Sequence, residues 1–419
     1  MSIVKHIGIV SCYGFGNVGD DSYGYILKKF FSDETEYKLY FIHDNLVYLK
    51  NNTYIPIDVY NKEPSAYEIF KPDYIIIGGG GLFDKERLDR GTSIQLYSSL
   101  CKQYNIPYYI LSVGFQFCEV YANCDNIKAL FTPYKEIFEG AEYISIRTII
   151  DYTYLRIIMD SCHYYKIEYN PDLVYSINKF IDNSIYIKKD IKKDIILVTM
   201  CKSWINLEYD HINNYINSII SEHPEFKIIF IDFDGYNPDR NIIIDPDNIL
   251  MYYSNAEYIY GKKLELDMSI LLNNNIFDTY SMTNINNRYH TLEEIIQILH
   301  RTHTLITGRF HGLVLGKVID IPNIYTVGYN NYKFRADYLS NHIDMPIDVL
   351  ENLSLKPLHI IKKYIDTNYT TDAYKWSDNT RNTNINTVNK LSNIDISLIQ
   401  NWYNNDIEYY LQNKKLKFD

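Results

Sequence analysis

The chain has 419 residues, of which 46% are hydrophobic and 22% charged, and a net charge of -11. That is the composition of a globular protein with room for about two domains and an extension, and its acidic balance argues against a nucleic-acid surface, which needs a basic face. Six cysteines without metal-ligand spacing, no secretory leader and no apolar run long enough for a bilayer point to a reduced, cytoplasmic setting without a transmembrane segment.

Residues 3–12 read as a first parallel strand, running into Tyr13-Gly-Phe-Gly-Asn-Val-Gly-Asp-Asp-Ser22 and a helix from Tyr23 to Phe31. Gly14, Gly16 and Gly19 spell a dinucleotide fingerprint, and Asp44 follows the next strand, 38–43. Asp20 and Asp21, however, fall in the first helical turn, where they would repel a pyrophosphate. A tight turn with capping aspartates is the preferred reading. Residues 72–83 form a buried strand ending in four glycines, Gly78 to Gly81. Four together require a close approach or positive φ. Because this loop and the Gly14–Gly19 turn both end strands of one sheet, they are expected to face a ligand with a nest of N–H groups. Residues 142–148 form another buried strand with Arg147 at its carboxyl end, open either to a ligand or to a surface pair with Asp151. Asn170-Pro-Asp-Leu-Val174 closes the first unit, and the lysine-studded run 178–193 reads as a linker.

A second α/β unit starts with a strand at 194–200, a helix at 210–223 and a strand at 227–233. Thr291-Leu-Glu-Glu is a capping box for a helix at 292–300. That helix feeds a buried strand, 304–308, and the turn Gly308-Arg-Phe-His-Gly312, which opens an apolar helix to Val318. A last strand, 321–327, precedes Lys333 and Arg335. Arg309 and His311 thus stand where a strand hands over to a helix, at the carboxyl edge of a parallel sheet. Open α/β sheets bind ligands there, and the helix start attracts anions. Arg contributes a planar fork for carboxylate or phosphate and His a proton carrier, so this turn reads as an anion-binding catalytic corner. Beyond residue 350 the chain turns polar. A final amphipathic helix near 392–411 would pack on the body, on a second subunit or, with the lysines at 414–417, on a membrane surface.

Four of these stretches together resemble the polysaccharide pyruvyl transferase family: Gly16-Asn-Val-Gly-Asp20, Asp73 with Gly78-Gly-Gly-Gly-Leu82, Ile144-Ser-Ile-Arg147, and Gly308-Arg-Phe-His-Gly-Leu313 followed by Ile321-Pro322. Tyr332-Lys333 is similar to a lysine the family places after its last strand. The resemblance covers residues 5–340 in the family's order. It departs at Phe310, where the family usually has Leu, and at Thr148, where an acidic residue often follows the Arg. The tail finds no counterpart.

The resemblance implies an α/β fold of two Rossmann-like domains facing across a cleft, like GT-B glycosyltransferases, with a C-terminal helical tail. The domains would be 1–176, a linker at 177–193, 194–350 carrying the Arg-Phe-His motif, and a polar tail with its helix at 351–419. It implies phosphoenolpyruvate as donor and a sugar diol of a glycan as acceptor, giving a pyruvate ketal and free phosphate without metal or cofactor. His311 and Arg309 would be catalytic, with His311 either a general acid or a phosphate binder. Arg147, Lys333, Gly16, Asn17, Gly19, Asp20, Gly79, Gly80 and Gly81 would bind substrate. Two other functions fit the same fold: a nucleotide-sugar glycosyltransferase, with a sugar diphosphate at the same helix start, and a non-catalytic glycan-binding protein. A homo-oligomer is compatible with each.

Overall fold

The computed structural model describes residues 4–11, 18–43, 59–61, 72–83, 93–115, 128–129, 131–181, 193, 195–199, 222, 227–230, 244–245, 250–251, 292–307, 309–326 and 345–367. Seven strands make one parallel sheet: β1 (Lys5–Val10), β2 (Tyr37–His43), β3 (Val59–Asn61), β4 (Tyr74–Phe83), β5 (Tyr108–Phe115), β6 (Tyr143–Ile146) and β7 (Ile167–Tyr169). Their order is β3-β2-β1-β4-β5-β6-β7. The strands are runs of Ile, Val and Tyr because a parallel sheet is covered on both faces, and every residue of β5 and β6 is buried. Helices α1 (Val18–Phe30), α2 (Ser93–Tyr104), α3 (Lys135–Gly140) and α4 (Ile149–Ile158) accompany it. α1 opens at Val18 rather than at the expected Tyr23. Asp20 and Asp21 lie in its first turn and Lys28 and Lys29 in its last, each sign matching the helix dipole.

A second parallel sheet holds β8 (Ile195–Thr199), β9 (Lys227–Phe230), β12 (Thr302–Thr307) and β13 (Asn323–Thr326) in the order β13-β12-β8-β9. A short antiparallel ladder joins β10 (Ile244–Asp245) to β11 (Leu250–Met251). α5 (Leu292–Arg301) buries Leu292, Ile295, Ile296 and Leu299 at helical spacing. α6 (Phe310–Val318) is apolar on most sides and buried along most of its length. Strand order reverses between β1 and β4 in the first sheet and between β8 and β12 in the second. α1 follows β1 and α6 follows β12, so each sheet sets a helix start at the edge where such sheets bind ligands.

The sequence is corrected at two places. First, β4 does not stop at its glycines. It continues to Phe83, with Gly80 opposite Val113 and Gly81 opposite Gly114. Gly79 and Gly80 have φ of +83° and +90°, and what they approach is α1: a Cβ at Gly79 would lie 2.4 Å from Cγ of Tyr23, and one at Gly80 2.3 Å from Oδ1 of Asp20. Second, residue 350 ends nothing, because it lies inside α7 (Ile347–Thr367). The polar residues that shift the composition include Asn352, His359, Lys363 and Asp366, which are exposed, while Leu350, Leu358, Ile361 and Ile365 are fully buried.

α7 packs back on the first sheet. Tyr364 stacks on Tyr109 with ring centroids 6.0 Å apart, and Tyr74 Oη donates to the Ile365 carbonyl at 3.3 Å. Tyr37 donates to Asp366, which also pairs with Lys362 at 2.8 Å. Ile177 and Ile181, in the run expected to be a linker, are buried in the cluster that includes α7. The expected helix near 392–411 lies outside the described residues. Among the described residues no helix is long and apolar enough to cross a membrane.

Replacing Gly79 by alanine forces a side chain into a positive-φ position and against the Tyr23 ring. Backbone strain and overpacking together should cost roughly 2–4 kcal/mol. Urea titration of Gly79→Ala beside the parent protein measures the loss.

Candidate active site

The turn after β12 is built as its sequence suggests. Arg309 is the N-cap of α6 in extended conformation; its N–H donates to Thr307 Oγ1 at 3.0 Å, and its carbonyl accepts from Gly312 N and Leu313 N at 3.1 and 3.3 Å. Its side chain is half-buried. This arrangement fixes where α6 starts and places His311 in its first turn.

From there the His311 ring reaches the first sheet. A Cβ on Gly19, in the first turn of α1, would lie 1.8 Å from His311 Nδ1, so only glycine lets the two helix starts meet. The other ring nitrogen, Nε2, points inward. It lies 3.4 Å from Asp172 Oδ2 and 3.4 Å from Arg147 Nη1. The edge of the ring meets Tyr23, with centroids 5.7 Å apart.

Asp172 holds this cluster together. It precedes a 3-10 helix, Leu173–Lys179, and caps it by accepting from Val174 N at 2.9 Å through Oδ1. Oδ2 is left for the site: it accepts from the Tyr23 hydroxyl and, at 3.1 Å, from Arg147 Nη1. Asp172 is 0% exposed and Arg147 3%. Burial by itself would raise the Asp172 carboxyl. His311, Arg147 and Tyr23 outweigh it and hold the group down at about 2, from an ordinary 3.8. Burial, then the neighbouring carboxylate, pushes the Tyr23 hydroxyl well up, so it stays protonated and donates. Burial also works against the Arg147 charge, but Tyr23 and Asp172 more than compensate.

A backbone irregularity in β5 completes the floor. The register between β5 and β6 shifts between Ile110 and Val113, and Ser112 takes φ of +50°. Its Oγ accepts from Leu173 N at 3.0 Å, and its carbonyl lies 3.4 Å from Tyr23 Oη. A bulge of this kind re-aims groups beside a site.

Of the residues singled out from sequence, His311, Gly19 and Arg147 converge here. Asp20 and Gly80 meet beside them, and Gly79 backs Tyr23. Gly81 continues β4 opposite Gly114. Arg309 adjoins the cluster through the next residue, Phe310, over whose ring Arg147 stacks at 4.7 Å. Arg147 is thus deeply buried and bonded to Asp172, and Asp151, also buried, adds to the support of its charge. Lys333, Gly16 and Asn17 lie outside the described residues. Sequence missed Asp172, Tyr23 and Ser112. Asp172 stands in the run 170–174, which sequence read only as the close of the first unit, with nothing to show a use for the carboxylate. Tyr23 is one of 43 tyrosines.

The sequence profile of polysaccharide pyruvyl transferases matches residues 17–331, most of the chain. The chain belongs to that family. It is accordingly a transferase of the kind that serves polysaccharide biosynthesis. No curated protein matches the chain. Among solved structures, a putative UDP-N-acetylglucosamine 2-epimerase from Listeria monocytogenes aligns over 88% of this chain and 98% of its own, at 9% identity and a TM-score of 0.48. The UDP-GlcNAc 2-epimerase of Neisseria meningitidis, bound to UDP-GlcNAc, aligns over 87% and 100%, at 11% identity and 0.46. That of Methanocaldococcus jannaschii aligns over 80% and 92%, at 11% and 0.43.

In this pyruvyl transferase family member, Asp172→Asn leaves Arg147 buried without its counter-charge, which should cost roughly 3–5 kcal/mol at neutral pH. Because folding lowers the Asp172 pKa, its contribution is complete above the ordinary carboxylate range and is lost as pH falls toward about 2. The stability gap between parent and variant should therefore narrow, by on the order of 2 kcal/mol, between pH 6 and pH 2. Denaturant melts of both proteins across that range test the sign.

Proposed function

We propose that this protein transfers the pyruvyl group of phosphoenolpyruvate to two hydroxyls of a sugar unit in a glycan, forming a cyclic ketal and releasing phosphate. The observation that carries the reading is the meeting of His311, at the start of α6, with Gly19, at the start of α1, above a buried Asp172–Arg147 pair. Family membership supports the reaction class. The geometry adds a proton carrier at the junction of two helix starts, where an anion is favoured.

The donor bears a carboxylate and a phosphate, which call for cationic forks and N–H donors. Arg309, at the N-cap of α6, supplies a fork, and the first N–H groups of α6 lie beside it. Lys333 is a further cation by resemblance. His311 gives a proton to the enol methylene carbon, which becomes a methyl group, while positive charge builds on the neighbouring carbon. One sugar hydroxyl adds to that carbon and returns a proton to His311. The second hydroxyl then takes the place of phosphate, which leaves with the remaining proton. The net change is one cyclic ketal and one phosphate formed, and no cofactor or metal takes part.

Phosphoenolpyruvate at a hundred times its Kd should stabilise the native protein by about 2.7 kcal/mol and raise its melting temperature. Arg309→Ala should abolish the rise. His311→Gln should keep it and lose roughly 10²-fold or more in acceptor-dependent phosphate release. A rise with a nucleotide sugar and none with phosphoenolpyruvate would replace this reading with glycosyl transfer.

A further inference from the structure

The two nitrogens of the His311 ring have different surroundings. Nδ1 packs against the backbone of Gly19 at the start of α1, where a Cβ would lie 1.8 Å from it. Nε2 faces the buried floor, with two neighbours that ask opposite things of it. Arg147 Nη1, 3.4 Å away, can only donate and would favour a bare lone pair. Asp172 Oδ2, also 3.4 Å away, can only accept and favours a hydrogen there.

Donor accounting decides between them. Nη1 carries two hydrogens and has two other acceptors, Asp172 Oδ2 at 3.1 Å and the Tyr23 oxygen at 3.4 Å. The Tyr23 hydrogen is committed to Asp172, so its oxygen is a ready acceptor. Arg147 can therefore place both hydrogens without Nε2. The charges point the same way. Guanidinium charge is spread over three nitrogens, whereas a carboxylate concentrates its charge on two oxygens, one of which faces the ring.

We propose that Asp172 is the positioning residue of His311: its carboxylate anchors the ring at Nε2 and leaves Nδ1, beside Gly19, as the nitrogen that exchanges protons with the substrate. The assignment rests on His311 being the proton carrier of the reaction above. It also gives Arg147 a task. Sequence placed Arg147 among the substrate ligands. Its Nη1 instead bonds Asp172 and Tyr23, its guanidinium stacks on Phe310 at 4.7 Å, and it fixes the carboxylate that fixes the histidine. The buried Nε, without a hydrogen-bond partner among the described residues, lies against Gly114, where a Cβ would stand 2.8 Å from it.

The test begins with the full chain and no substrate. Long-range proton–nitrogen spectra of histidine-labelled protein, with His311→Gln to assign the ring, read which nitrogen carries the hydrogen. A hydrogen on Nε2, in the neutral ring or in a doubly protonated one, is the expected result. A neutral ring with its hydrogen on Nδ1 and a bare Nε2 overturns the proposal, whatever the variants do. With phosphoenolpyruvate and an acceptor glycan, Asp172→Asn should lower kcat by roughly 10²-fold or more and leave KM for the donor within about threefold. A rise in KM at unchanged kcat would instead make Asp172 part of donor binding. If the parent protein neither binds nor turns over phosphoenolpyruvate, the reaction falls while the nitrogen assignment is still read from the spectra.

Discussion

One oxygen atom, Oδ2 of Asp172, sets the relative positions of three parts of the chain. Tyr23 comes from α1, Arg147 from the end of β6 and His311 from α6, and all three lie within 3.4 Å of it or donate to it directly. Taking a carboxylate out of water costs several kcal/mol, and only well-placed donors and opposite charge offset that cost. The donors must therefore stay where they are. Any shift of α6 away from α1 would strip the carboxylate of a partner in a place water does not reach. The charge thus acts as a geometric restraint, and the aromatic contacts of Phe310 and Tyr23 stiffen it from the sides.

The backbone around the cluster bears the strain of this arrangement. Ser112 is held in the left-handed region in the middle of a strand, a conformation costly for a residue with a side chain. Its hydroxyl accepts from Leu173 N at the start of the 3-10 helix, and its carbonyl lies beside the Tyr23 hydroxyl. Across the sheet, Gly79 and Gly80 let β4 lie directly under α1. Distortion and small residues thus gather at one edge of the sheet while the strands behind it remain regular.

What sequence could show was set by how local each signal is. The Arg309–His311 corner was legible because strand, turn and helix follow within a few residues, and each residue type has a distinct chemistry. The alternation of strands and helices was legible for the same reason. Asp172 was not, because the pairs that give it meaning are remote: Tyr23 is 149 residues away along the chain. Arg147 was placed correctly at a strand end, but a strand end does not reveal whether its side chain meets water or a buried carboxylate. The four glycines announced a close approach without naming what approached, and the partner proved to be the protein's own helix. α7 was obscured by composition, since a helix with one buried face can be polar on average.

The return of α7 bears on how the chain is made. Tyr109 and Tyr74 belong to the first sheet, yet their contacts with Tyr364 and Ile365 come from residues translated after the whole second sheet. Contacts of such long sequence separation form late, because the intervening chain must first be closed into a loop. A ribosome that has released β1 to β7 has therefore released a sheet whose cover by α7 is still unmade. Exposed aromatic surface on a growing chain is the kind that aggregates or engages chaperones. The second α/β unit and α7 thus act together as the late half of a folding unit that begins with the first strand.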